Sequence, residues 1–239
     1  MKNLYVLICF LIFIFLVSCQ NIKRAPKNEL LDGIYHSSIK KQGRHRVYVE
    51  VHGDTIEAFN ASKKGGEYVV LRNQPIKSFP ASTDDKSATS EYMLYKPSFD
   101  IGIVSVPVKF RPSVSGFPAQ LNSEVNAAIY LGSRFDLFKI HYHQTPIRIA
   151  ERDINHLGFS VGIFGGIGST FMNPWVTNYS IDSEYDGIVI IKGISGVIAF
   201  NNFSAGVAVG TDFLTDKNRQ HWIYQEKLWL GLLLGININ

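Results

Sequence analysis

Only two cysteines occur in the 239 residues, Cys9 and Cys19, and both fall in the first nineteen positions. Everything after them has to be stable without a disulfide. Charge is also scarce and nearly balanced: Lys and Arg total 24, Asp and Glu 20, for a formal net charge of +4. This mild excess argues against a nucleic-acid partner. The one dense basic run, Lys40 to Arg46 (Lys-Lys-Gln-Gly-Arg-His-Arg), suits a solvated hairpin tip better than a patch for membrane headgroups or nucleic acid. No amphipathic stretch of helical period is present, so strands are the building element.

Catalytic signatures are missing as well. Ser, His and Asp occur, but none stands in a nucleophile elbow. The run Gly162 to Thr170 is glycine-rich, yet no Lys precedes Ser169, and its glycines fall mainly on one face of a strand rather than in a phosphate loop. His141 and His143 share a strand face, but no third ligand stands at a metal-site spacing. The expectation is a non-enzymatic chain without a metal or cofactor.

What is there begins at the N-terminus. Met1-Lys2-Asn3 is a short basic start, Leu4 to Val17 is an almost unbroken apolar run, and Leu16-Val17-Ser18-Cys19 follows. The apolar run is short for a membrane span and suits the central region of a signal peptide. Those four residues match the processing box of bacterial lipoproteins, which this start resembles. The resemblance implies that residues 1–18 are removed, and that Cys19 becomes an acylated N-terminus holding the chain at a membrane. Several acyl chains, at about 0.8 kcal/mol per buried CH₂, anchor stably where one does not. Cys9 leaves with the signal, so the mature chain has no thiol left to pair. Gln20, rather than Asp, follows the cysteine. By the same resemblance, that favours the outer membrane.

Residues 19–31 read as a polar tether, 32–91 as a small β-rich segment and 92–239 as a barrel. Within the small segment, Val47, Val49 and Val51 share one strand face, and His52-Gly53-Asp54-Thr55 supplies a two-residue turn. Glu67 to Leu71 is a further run, and Pro80 to Ser90 a linker by composition.

Beyond Tyr95 the strands lengthen: Phe99 to Phe110, Leu121 to Gly132, Phe135 to His143, Leu157 to Ser169, Gly187 to Phe200, Phe203 to Leu214 and Glu226 to Asn239. An eighth strand near Trp175 to Ile181 makes the number even and restores an alternation of short and long connections. The fold class expected is all-β, an antiparallel up-and-down β-barrel of about eight strands behind a small β-rich segment.

The two faces differ in kind. On the last strand Leu228, Leu230, Leu232, Leu234, Ile236 and Ile238 oppose Lys227, Trp229, Gly231, Leu233, Gly235 and Asn237. Along Leu157 to Ser169, Phe159, Val161, Ile163 and Ile167 oppose Ser160, Gly162, Phe164 and Gly166. If the bulky face turned inward, glycine and alanine would form the water-facing wall. If it turned outward, the pattern is that of a membrane barrel, apolar toward lipid and small or polar inside. The region resembles small outer-membrane β-barrel proteins in this pattern, although it ends Ile236-Asn237-Ile238-Asn239. Many such proteins end in an aromatic residue.

Inside such a barrel Glu124, Lys192, Asp212 and Lys227 are expected to pair across the lumen. Trp175, Tyr179, Trp222, Tyr224 and Trp229 near strand ends suit an interfacial aromatic belt, although exposed aromatics also grip glycans. The outer binding loops expected are Arg111 to Gln120, Gln144 to His156 and Thr215 to Gln225. The function expected is a lipid-anchored outer-membrane barrel with a structural or loop-mediated binding role. Its partner is membrane lipid, through Cys19 and the barrel wall; the residues do not specify a protein or glycan. The alternative is a soluble periplasmic barrel, tethered by Cys19, that carries an apolar ligand inside.

Overall fold

The computed structural model describes residues 29–39, 43–84, 91–114, 116–200 and 203–236; Cys19 and the signal segment lie outside them. The strands are β1 (Gly33–Ile39), β2 (Gly43–His52), β3 (Thr55–Lys64), β4 (Glu67–Val70), β5 (Lys77–Pro80), β6 (Ser82–Thr83), β7 (Tyr92–Arg111), β8 (Gln120–Ser123), β9 (Asn126–Gln144), β10 (Ala150–Met172), β11 (Tyr185–Phe200), β12 (Phe203–Leu214) and β13 (Leu228–Ile236). All thirteen belong to one antiparallel sheet system.

That system closes twice. In the first ring β7, β9, β10, β11, β12 and β13 pair in succession, and β13 returns to β7 through Leu230↔Phe110 and Leu232↔Val108. In the second, β7 pairs β1, then β2 and β3 follow. β3 takes β5, and β6, one residue beyond β5, pairs β10 through Ala150↔Thr83. The Ala81 carbonyl between β5 and β6 accepts from the Arg152 amide at 2.9 Å. Both rings share β7, β9 and β10, which explains the unusual length of these strands.

An antiparallel up-and-down barrel is thus the observed class, with six continuous staves in the larger ring. Two local expectations differ. The expected strands Leu121 to Gly132 and Phe135 to His143 are not separate, because β9 runs through Gly132-Ser133-Arg134-Phe135 with Gly132 paired to both Gly162 and Asp100. Glycine stands there for space: a Cβ at Gly132 would overlap the Tyr130 hydroxyl and come within 2.7 Å of the Val161 carbonyl. Trp175 to Ile181 is not a strand. Trp175–Thr177 forms a 3-10 turn after Pro174. Asn178 (φ 50°) and Tyr179 (φ 58°) then adopt consecutive left-handed conformations that no strand accommodates.

The shared strands exchange the character of their faces partway along. On the half of β9 nearest β1 to β6, Phe138 and Ile140 are buried while Lys139 and His143 face out. On the other half Ala128, Tyr130 and Arg134 are buried, and Ile129, Leu131 and Phe135 face out. β10 changes in step, its outward face passing from exposed Glu151 and Asn155 to exposed Leu157, Phe159, Val161, Ile163 and Ile167. The smaller ring has an apolar core of Tyr35, Val47, Val49, Ile56, Phe79, Leu94 and Ile140. Leu30, one residue before the end of the expected tether, joins it. The larger ring has a bare apolar exterior instead, with Ile103 79% and Ile163 59% exposed.

Candidate functional site

The larger ring's interior holds an ionised cluster just below the end with the long loops. Lys109 and Arg111 come from β7, Glu124 from the step between β8 and β9, Thr170 from β10, Asp212 from β12 and Trp229 from β13. Lys109 Nζ donates to Glu124 Oε2 at 2.8 Å and to both Asp212 oxygens at 3.1 and 3.0 Å. Arg111 Nη2 donates to Glu124 Oε1 at 2.9 Å and to Asp212 Oδ2 at 2.5 Å. Thr170 Oγ1 gives Glu124 a third donor at 3.0 Å, and Trp229 Nε1 reaches Asp212 Oδ1 at 2.8 Å. Two cations meet two carboxylates, so the cluster is neutral, and Lys109, Arg111 and Asp212 are all at most 1% exposed.

Aromatic rings enclose the cations. Lys109 Nζ sits 4.9 Å from the centre of the Trp229 ring, and Arg111 lies 5.3 and 5.2 Å from Trp222 and Tyr224. Such contacts gain strength when desolvated. Above them Met172, Val176, Val189 and Leu214 complete an apolar plug.

Of the four charges expected inside, Glu124 and Asp212 are there. Lys192 and Lys227 are not: both are exposed, and Lys192 Nζ lies 3.7 Å from Glu226. Lys192 falls on the outward face between Ile190 and Ile194, where its long stem reaches back toward the loop end. The cations that do enter, Lys109 and Arg111, escape strict alternation. Val104 and Val106 are buried, and so are Lys109 and Arg111, so the face changes near Pro107. The ladder to β13 shifts register at the same level. A bulge inserts one residue and turns the following side chains over. Pro107 within a strand was the available sign of it.

A second buried polar group marks the level where the faces exchange. Asp136 Oδ1 accepts from Arg134 Nε at 2.7 Å and lies 2.7 Å from His156 Nε2. Four residues along each strand, Tyr130 and Ser160 share a 2.6 Å hydroxyl contact. This polar layer separates the smaller ring's core from the larger ring's interior.

The other sequence candidates disperse. Gly162 to Thr170 is an uninterrupted part of β10. His143 Nδ1 pairs with Asp153 Oδ2 at 2.7 Å, with His141 Nε2 3.8 Å from the same oxygen. Among the described residues no group of three or more His, Cys, Asp or Glu is arranged to hold a metal. Trp222, Tyr224 and Trp229 are buried rather than belted, while Trp175 and Tyr179 are exposed, Trp175 lying between Phe117 and Tyr179.

Three long connections, residues 112–119, 173–184 and 215–227, open at one end of the larger ring. Gln144 to His156 is not among them. Thr145 and Ile149 close a tight hairpin at the opposite end, where the Thr145 amide meets the Ile149 carbonyl at 2.9 Å, and β10 starts at Ala150. Residues 173–184 take its place in the loop set.

No protein-family model, curated protein or solved structure matches this chain.

Proposed function

We propose that the protein is a non-enzymatic lipoprotein of the outer membrane, anchored through Cys19. Its larger ring is inserted in the bilayer, and its smaller ring stands in the periplasm. The observation that carries this reading is the exchange of faces along β7, β9 and β10. A water-borne barrel has no reason to bury Lys109, Arg111, Asp136 and Asp212 while exposing Ile103, Ile129, Ile163, Ile194, Leu230 and Leu234. In lipid that arrangement is the favourable one.

The dimensions agree. On β11 the outward positions run from Ile188 to Ile198, apolar except for Lys192, whose ammonium turns to Glu226 of the loop end. At about 3.4 Å per residue and about 45° of tilt that is roughly 24 Å, against an apolar band of about 25 Å on membrane barrels. The ring has an even number of staves. The start of β7 and the end of β13 therefore lie at one end, beside the smaller ring and on the side of the anchor. The plugged interior leaves the loops as the working surface, so the role is structural or one of binding through residues 112–119, 173–184 and 215–227. A soluble carrier would need the bulky face around an internal ligand, and that face points out.

Orientation is testable because the processed chain has no thiol besides acylated Cys19. A Ser180→Cys form is expected to react with a membrane-impermeant maleimide on intact cells, and an Asp54→Cys form only after the outer membrane is opened. Equal labelling of both, or the reverse order, contradicts the arrangement. Labelled palmitate should enter the parent chain and not Cys19→Ala.

A further inference from the structure

We infer that the waist between the two rings binds the headgroup of an anionic phospholipid, in a groove that joins a cation to the start of the apolar wall. The inference rests on the membrane reading above. The groove has a volume of about 470 Å³ and is lined by His36, Arg46, Ala61, Tyr95, Pro97 and Phe135.

The sheet register orders these residues. Arg46 on β2, His36 on β1 and Tyr95 on β7 form one row across three strands. His36 and Tyr95 stack with ring centres 5.1 Å apart and planes 15° from parallel. Pro97 and Phe135 form the next paired row toward the larger ring, and beyond them Phe99 and Ile101 face outward. A ligand lying along the groove meets a guanidinium at one end, a flat aromatic floor in the middle and an exposed hydrocarbon surface at the other.

That order is the order of a phospholipid: phosphate, glycerol backbone, acyl chain. Arg46 is exposed, and among the described residues no carboxylate pairs with it. Its planar fork matches two phosphate oxygens. None of the lining residues is acidic. Ala61 leaves open the space in which the headgroup sits. The groove also lies at the level where the outer face changes from charged to apolar, which in the membrane reading is the water–lipid boundary. Phospholipid is the one ligand already concentrated there.

The test uses the full chain purified in detergent and mixed with equal amounts of phosphatidylglycerol and phosphatidylcholine, with retained lipid read by native mass spectrometry. Phosphatidylglycerol is expected to be retained about fivefold over phosphatidylcholine, the preference that one Arg at a membrane surface confers. Arg46→Glu should bring the ratio to parity. Ala61→Trp, which fills the groove without changing charge, should lower phosphatidylglycerol retention.

No preference in the parent protein, or an unchanged preference in Arg46→Glu, overturns the inference. So does displacement of the lipid by equimolar inorganic phosphate, which would make the groove a site for free anions. Migration with and without boiling is recorded on the same samples. A heat-shifted barrel without lipid preference removes the groove alone, whereas loss of the heat shift in the parent removes the membrane reading with it.

Discussion

Ile163→Arg is expected, on the proposed insertion, to destabilise the protein by about 2–4 kcal/mol, the cost of a cation on a lipid-facing wall near the bilayer midplane. Ile163 lies near the middle of the outward positions of β10, which run from Leu157 to Phe171, and is 59% exposed. The value of this substitution is that its sign depends on the solvent. In water, Arg at such a site costs almost nothing and improves solubility. In lipid the guanidinium has to snorkel or thin the bilayer, because little hydrogen-bonding capacity surrounds it. Urea titration of the variant refolded into bilayers reads the difference, with Glu151→Arg on the outward face of the same strand, beside the smaller ring, as the control. Glu151→Arg should leave the midpoint nearly unchanged. If both substitutions are neutral, the exposed wall does not face lipid.

Asp212→Ala is expected to cost more, about 3–5 kcal/mol, as the removal of one partner from a buried ion pair does. Asp212 accepts from Lys109, Arg111 and Trp229, so truncation leaves two cations facing Glu124 alone and the indole N–H without its acceptor. The cluster then carries one uncompensated positive charge inside a plugged barrel. The charge, rather than the lost volume, carries the cost. A Lys109→Met/Asp212→Leu double variant, which removes one charge of each sign, should therefore recover much of the loss. Thermal unfolding of the three proteins in one detergent separates the two causes. Equal losses in the single and double variants would assign the cost to packing and contradict the pairing described here.

Much of the fold could be read from the chain because period-two alternation is a local property. Leu228 to Leu234 against Trp229 to Leu233 needs no tertiary knowledge to separate a bulky face from an inner one, and the structure keeps that separation on β10, β12 and β13. Strand count was less accessible. Gly132-Ser133-Arg134 has the composition of a turn, but glycine is there because the narrow barrel leaves no room for a Cβ. Trp175 to Ile181 has the composition of a strand, but Pro174 and two left-handed residues bend it. One error split a strand in two and the other added one, so the expected number, though too high, stayed even.

The ionised cluster was half visible. Glu124 and Asp212 follow from alternation, whereas Lys109 and Arg111 sit beyond the bulge near Pro107, where the rule reverses. Lys192 obeys the alternation and for that reason points outward. The second ring was not visible at all. Its closure depends on the two-residue strand Ser82–Thr83 meeting the start of β10, a contact between segments some seventy residues apart that no local pattern announces. The exchange of faces along β9, from Phe138 inward to Phe135 outward, lay in the sequence throughout. It acquires meaning only once the strand is known to be continuous.

The decisive measurement is alkaline extraction of membranes from cells making a variant in which residues 1–19 are replaced by a cleavable secretory signal without a cysteine, followed by gel migration of the pelleted protein with and without boiling. Without Cys19 and without the apolar run Leu4 to Val17, the barrel wall is the sole means of staying in the membrane. Insertion predicts that the variant remains in the pellet and migrates differently when unboiled. A variant released into the supernatant, with one migration in both conditions, would show that lipid at Cys19 had held a water-borne barrel, and would contradict the account.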